Sequence, residues 1–227
     1  MTGHVLTRAL LEAGGIDALV ARAAPGLRLL TEAERAESLR QTLAARPPGE
    51  PVWLFAYGSL IWNPTIHAVE QRTACIEGWH RAFCLSTPVG RGTMANPGLV
   101  LGLDHGGSCR GVAFRLADET VADELTLLWR REMLAGAYVP RWLDVKDADG
   151  IRFGAAIAFT IDRTAPRYAG DLAHDAVVER LATAAGELGS SADYLFHTRD
   201  GLRAHGIPDP DLERLAASVE AARALRA

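Results

Sequence analysis

A chain of 227 residues is long enough for one sizeable domain with helical appendages and too short for two full ones. With 48% hydrophobic and 23% charged residues, a formal charge of −4 and no runs of basic residues, it reads as an ordinary globular protein without a nucleic-acid groove. No apolar run approaches the roughly 18 residues that cross a bilayer, and the N-terminus lacks a signal-peptide pattern, so no membrane association is expected and the expected location is the cytoplasm.

Residues 1–50 read as a peripheral helical extension. Thr31 followed by Glu34 makes a capping box ahead of Ala33, Ala36, Leu39 and Leu43 at helical spacing, and Arg46-Pro47-Pro48-Gly49 ends that helix. The remaining residues, 51–227, are expected to form the main domain. Val52 to Tyr57 is apolar or aromatic throughout and predicts a buried strand, which stops at Gly58. Two readings of that stop remain open. It is either a core strand ended by a Gly-Ser turn, or a loop whose Gly58, Ser59 and Leu60 amides converge on an anion.

Asn63-Pro64 then turns the chain. Ala68 to Glu77 and Arg81 to Thr87 are strand candidates joined at Gly78 in a hairpin, and Leu99 to Asp104 and Cys109 to Leu116 form a second hairpin around His105-Gly106-Gly107-Ser108. Between them, Val89 to Gly98 carries three glycines and a proline, which predicts a surface loop with a function.

A second capping box is expected at Thr120 and Asp123. Beyond it Val121, Leu125, Leu128 and Glu132 recur at intervals that place them on one helical face. Glu132 thus falls in an apolar stripe, and Arg130 and Arg131 are displaced around the helix from it. A carboxylate there is costly unless it is hydrogen-bonded, paired, or held where its pKa is free to rise. One reading makes Glu132 a general base; the other makes it half of a structural ion pair with Arg81, Arg110 or Arg141.

Tyr138 to Val145 and Ile151 to Ile161 follow as strands around Lys146 to Gly150, bringing the count to seven. From Asp171 onward the chain is helical: one helix lined by Leu172, Val177, Val178, Leu181 and Leu188, a second from Ser190 to Ala204, a third from Asp211 to Ala227. Without βαβ alternation, the expected class is α+β, with an antiparallel or mixed β-barrel core flanked by helices. Cys75, Cys84 and Cys109 form no CxxC pair and suit a reducing compartment. The seven histidines lack HxxxH or HExxH spacing, so neither a metal site nor a cofactor is expected.

Five separated stretches, FAYGSLIWNP, GWHRAFC, GRGTMANPGLVLGLDHGGSCRGVAFRL, LWRREMLAGAY and SSADYLFHT, resemble in the same order the ChaC family of γ-glutamylcyclotransferases. The resemblance covers roughly Val52 to Pro210 and does not explain the first fifty residues. It implies a small α+β protein with a barrel core that cleaves glutathione to 5-oxoproline and cysteinylglycine without metal or nucleotide. It also implies that Glu132 is the catalytic residue, that Tyr57, Gly58, Ser59 and Leu60 hold the γ-glutamyl group, and that Tyr138 and Tyr194 belong to the site wall. Arg81 reads more readily as a buried structural partner than as a substrate contact.

The chemistry agrees. In a γ-glutamyl amide the attacking α-amine and the γ-carbonyl share one molecule, so much of the encounter entropy is already lost. A base must deprotonate the ammonium and an acid must protonate the departing nitrogen, and one carboxyl can do both in turn. The loop amides then cradle either the α-carboxylate or the developing oxyanion. Other γ-glutamyl peptides or amines are alternative substrates, with selectivity set by Val89 to Gly98. A non-catalytic regulator of cation transport is the alternative from outside enzymology.

Overall fold

The computed structural model describes residues 6–226. Its first elements are α1 (Arg8–Glu12), α2 (Gly15–Ala23) and α3 (Glu32–Ala44). The expected capping box opens α3: the Thr31 hydroxyl accepts from the Glu34 amide, and the Glu34 carboxylate accepts from the Thr31 amide. Then come β1 (Trp53–Ala56), a single turn of helix α4 (Ser59–Trp62), β2 (Glu70–Thr87) and β3 (Gly98–Arg115). After α5 (Val121–Glu132), β4 (Tyr138–Lys146) and β5 (Arg152–Ile161), the chain runs through α6 (His174–Thr183), a two-residue pair β6 (Ala185–Gly186) and β7 (Gly189–Ser190), α7 (Ser191–Ala204) and α8 (Pro210–Ala224).

Five strands close a barrel in the order β1-β3-β2-β4-β5. The barrel is mixed, because β5 pairs parallel with β1 and β3 while the other ladders are antiparallel. Five rather than seven barrel strands arise because each expected short hairpin is one continuous 18-residue strand. Gly78 does not turn the chain. It sits with φ 79° opposite Gly106 (φ 101°) and Gly107 (φ 68°), where the β2–β3 register shifts between Glu77 and Trp79. Glycines there relieve the left-handed backbone of a bulge that bends both strands, and a bent ladder is what a small barrel requires. The one true reversal between β2 and β3 is the segment 88–97, with Thr87 paired to Gly98.

Three further expectations are corrected. Thr120 already has helix-like angles (φ −114°, ψ 0°) and makes no capping bond, so no box opens α5. Leu172 and Leu188 lie outside α6, the latter in the turn between β6 and β7. Arg131 does reach Glu132, as the site shows.

All four residues of β1, Ala156 to Phe159 of β5 and Leu99, Leu101, Leu103, Val112, Ala113 and Phe114 of β3 fill the core together with Leu125, Leu128 and Trp129 of α5. Outside it, α1 and α2 bury Leu11, Ile16, Leu19 and Val20 against Leu127 on the outer side of α5, a separate apolar cluster. Glu124 of α5 is a buried carboxylate, held by Arg8 at 2.7 Å and by the His67 amide at 3.0 Å. No helix among the described residues is long and apolar enough to cross a membrane.

Candidate active site

Tyr57 ends the segment that leaves β1, and the chain closes at once into α4. Within that turn the Gly58 carbonyl accepts from the Ile61 amide (2.9 Å) and the Ser59 carbonyl from the Asn63 amide (2.8 Å). Helical turns leave their first amides without partners inside the turn, which holds for Gly58 and Leu60, while the Ser59 amide donates to the Tyr194 hydroxyl. Gly58 is needed for space: a Cβ there would stand 2.8 Å from the Tyr194 hydroxyl and 3.6 Å from Leu101.

The candidate catalytic and substrate-binding residues meet here. Tyr57, Gly58, Ser59, Leu60, Glu132, Tyr138 and Tyr194, joined by Leu101 and Phe159, surround one cavity of about 20 Å³, room for a single water. Ser59, Glu132, Tyr138 and Tyr194 also border a larger pocket of about 940 Å³. The end of α5 and the start of β4 are near each other in sequence, but the β1–α4 junction and α7 are far from both. Barrel closure brings them together: the Tyr57 hydroxyl donates to the Phe159 carbonyl (2.8 Å) and the Tyr138 hydroxyl to the Leu101 carbonyl (2.8 Å).

Glu132 is the last residue of α5, and its side chain is 14% exposed. Burial raises its pKa above the ordinary 4.5, while the charge and hydrogen bond of Arg131 work in the opposite direction. The partner is thus its own neighbour: Arg131 Nε lies 2.9 Å from the Glu132 carboxylate. Adjacent positions diverge on a helix, but at a helix end the long arginine stem curls back across the terminus. None of the arginines expected from sequence fills this place. Arg81 binds Asp209 and donates to the Tyr57 and Arg110 carbonyls, and Arg141 donates to Thr160 Oγ1 (3.2 Å).

Arg131 also ties the carboxylate to the loop. Its Nη2 donates to Ser59 Oγ (2.8 Å), and its Nη1 donates to the Asn63 carbonyl (2.5 Å) and Thr65 Oγ1 (2.9 Å). Thr65 is the one non-glycine among the described residues with positive φ, 56°. A strained residue held by the catalytic-side arginine indicates a loop fixed in place at some cost.

The three tyrosines are raised as well. Burial is the largest cause for each, and the Glu132 charge adds to it; for Tyr194 the backbone amides of Leu101 and Ser59 pull the other way. They are therefore neutral phenols beside the Glu132 carboxyl. Among the described residues no group of three or more His, Cys, Asp or Glu side chains is placed to hold a metal ion. Arg131 was the missed member of this set; its position next to Glu132 hid it, because helical geometry points neighbours apart.

A model of the family described as ChaC-like protein matches residues 52–222. The glutathione-specific gamma-glutamylcyclotransferase of Escherichia coli (strain K12) is 47% identical over 193 residues, 85% of this chain and 83% of the relative. The Homo sapiens glutathione-specific gamma-glutamylcyclotransferase 1 is 30% identical over 181 residues, 78% of this chain and 81% of the relative. A crystal structure of a yeast cyclotransferase specific to glutathione superposes with a TM-score of 0.70, covering 77% of this chain and 98% of that one at 21% identity, a likeness of fold.

Proposed function

This chain belongs to the ChaC family, and we propose that it is a glutathione-specific γ-glutamylcyclotransferase, a carbon–nitrogen lyase that releases 5-oxoproline and cysteinylglycine. The observation that carries the reading is Glu132: a largely buried carboxylate with a raised pKa, facing both a pocket and the Gly58–Leu60 amides. A free glutamate would be a poor base at neutral pH, and burial moves this one toward the working range.

In the proposed mechanism the γ-glutamyl group lies on the large-pocket side of Ser59, Glu132, Tyr138 and Tyr194, because the inner cavity holds only a water. Glu132 takes a proton from the α-ammonium, and the freed amine attacks the γ-carbonyl to close a five-membered lactam. The carboxylic acid so formed then protonates the departing amide nitrogen, and the carboxylate this restores takes the second proton from the lactam nitrogen and passes it to the departing amine. Amides of the Gly58–Leu60 turn offer donors to the α-carboxylate or to the oxyanion that develops on the γ-carbonyl. Tyr57, Tyr138 and Tyr194 wall the site and exclude water.

The proposal includes residues 51–227 as the cyclotransferase domain, with 1–50 as a helical extension, a division supported by the start of the family match at residue 52. It also includes a cytoplasmic location and no nucleic-acid partner, supported by the three free cysteines, of which Cys84 and Cys109 are buried, and by the net negative charge. The test is 5-oxoproline release by purified protein from glutathione beside γ-glutamyl-alanine and γ-glutamyl-lysine. Turnover of glutathione well above the other two supports the proposal, and no turnover of any of them ends it.

A further inference from the structure

Besides the exposed Arg223 of α8, the large pocket contains two guanidiniums that the catalytic reading leaves without a task. Arg91 lies in the segment 88–97 between β2 and β3, and Arg167 lies in the stretch between β5 and α6. Buried arginines elsewhere in the chain hold carboxylates: Arg35 on Asp17, Arg81 on Asp209, Arg131 on Glu132. Among the described residues neither Arg91 nor Arg167 has such an ion pair. The Arg91 guanidinium lies over the rings of Trp62 (5.7 Å) and Tyr194 (5.8 Å) and donates only to the Ser190 carbonyl at 3.4 Å.

Besides Glu132, held by Arg131, two acidic side chains share the pocket wall, and both are already engaged. Glu187 lies 3.3 Å from Arg22, and Asp193 accepts from the Ser190 amide (3.1 Å) as part of the cap of α7. Burial lowers the pKa of both arginines, countered for Arg91 by Tyr194 and Asp193 and for Arg167 by Tyr138. An arginine withdrawn from water without a counter-ion is costly, and the cost is recovered when a ligand brings the anion. A planar guanidinium suits a carboxylate in particular, since it donates two parallel hydrogen bonds.

We infer that Arg91 and Arg167 form the receptor for the carboxylate at the far end of the substrate, the end that leaves with the product. This rests on the cyclotransferase reading and extends it to substrate class. A free distal carboxylate is required of the substrate, so γ-glutamyl amines, which lack that group, are not accepted. The same reading gives the segment 88–97 its function, as the carrier of Arg91.

The experiment compares glutathione with its C-terminal amide, which keeps the size and removes the distal charge. Wild-type protein is expected to prefer the free acid by about ten- to a hundredfold in kcat/KM, the worth of a charge-assisted hydrogen bond. Arg91→Met and Arg167→Met are expected to lose that factor on the acid, through KM, while turning over the amide as wild type does; the Lys variants should recover part of it. Wild type indifferent to amidation, or Met variants that lose equally on both substrates, would overturn the inference while leaving the cyclotransferase reading intact. Absence of 5-oxoproline from either substrate with wild type would instead remove the reading beneath it, and the inference with it. Melting curves of each variant separate misfolding from lost recognition, and the wild-type acid-to-amide ratio stands even if a variant fails to fold.

Discussion

The guanidinium of Arg131 stands 2.9 Å from the carboxylate of the next residue, Glu132, and 2.8 Å from the hydroxyl of Ser59. One cation therefore restrains the base and anchors the loop beside it. Because burial outweighs this restraint, the Glu132 pKa lies above its ordinary 4.5. An acid with a raised folded-state pKa binds its proton more tightly when folded. Its contribution to stability is thus greatest below the unfolded value and is lost as pH rises through the folded one.

The catalytic form is the ionised one, so activity should be present above the folded pKa of Glu132 and fall away as pH drops through it. The acid limb of kcat/KM is expected above 4.5 in wild type. Replacing Arg131 by Met removes the lowering influence and should move that limb to higher pH, while Lys should hold it nearer to wild type. A limb that stays in place in Arg131→Met would show that the titrating group is not Glu132.

Glu132→Gln keeps the shape and removes the proton acceptor. Turnover of glutathione should fall by roughly two to four orders of magnitude with substrate binding retained. Isothermal titration and 5-oxoproline release on the same preparation measure the two effects separately. A variant that keeps near wild-type turnover takes Glu132 out of the mechanism.

Gly58→Ala would drive a methyl to 2.8 Å from the Tyr194 hydroxyl. Overpacking of this kind costs about 1–3 kcal/mol, and here it also displaces the loop amides. Activity should suffer more than the melting temperature. Adding Tyr194→Phe removes the atom that the methyl meets and should restore part of the lost melting temperature; a double variant melting no higher than the single one would assign the strain elsewhere.

Arg81 is a structural residue in this arrangement, binding Asp209 and the carbonyls of Tyr57 and Arg110. Its side chain is 7% exposed. Arg81→Ala leaves Asp209 without its partner and should destabilise the protein by about 3–5 kcal/mol in urea unfolding. Unchanged stability with a selective rise in KM would make Arg81 a substrate ligand instead.

Periodicity made Glu132 legible and the end of a buried strand made Gly58 legible, whereas Tyr138 and Tyr194 came from the family resemblance alone. Glu132 stood out because a carboxylate at the helical spacing of Val121, Leu125 and Leu128 has no solvent-side explanation, and Gly58 because a buried strand stopped there. The hairpins were misread at Gly78 and at Gly106-Gly107 because a glycine that permits a bulge and one that permits a turn look alike in sequence, and only the partner strand distinguishes them. The destinations of Arg91, Arg131 and Arg167 were hidden for a different reason. A long flexible side chain finds its partner through tertiary packing, which local pattern does not encode.

The hydroxyl of Tyr57 and the carbonyl of Phe159, joined across the closed barrel, are 102 residues apart in the chain. Contacts of such sequence separation form late, since the entropy of closing a long loop is lost before any contact offsets it. The parallel seam of β1 against β5 belongs to the same closure, with Trp53 beside Ala156. A chain that has folded its β2–β3 ladder and its helices but not yet sealed this seam has no assembled site. Recovery of activity during refolding is therefore expected to follow the slowest kinetic phase, lagging behind the return of helical signal.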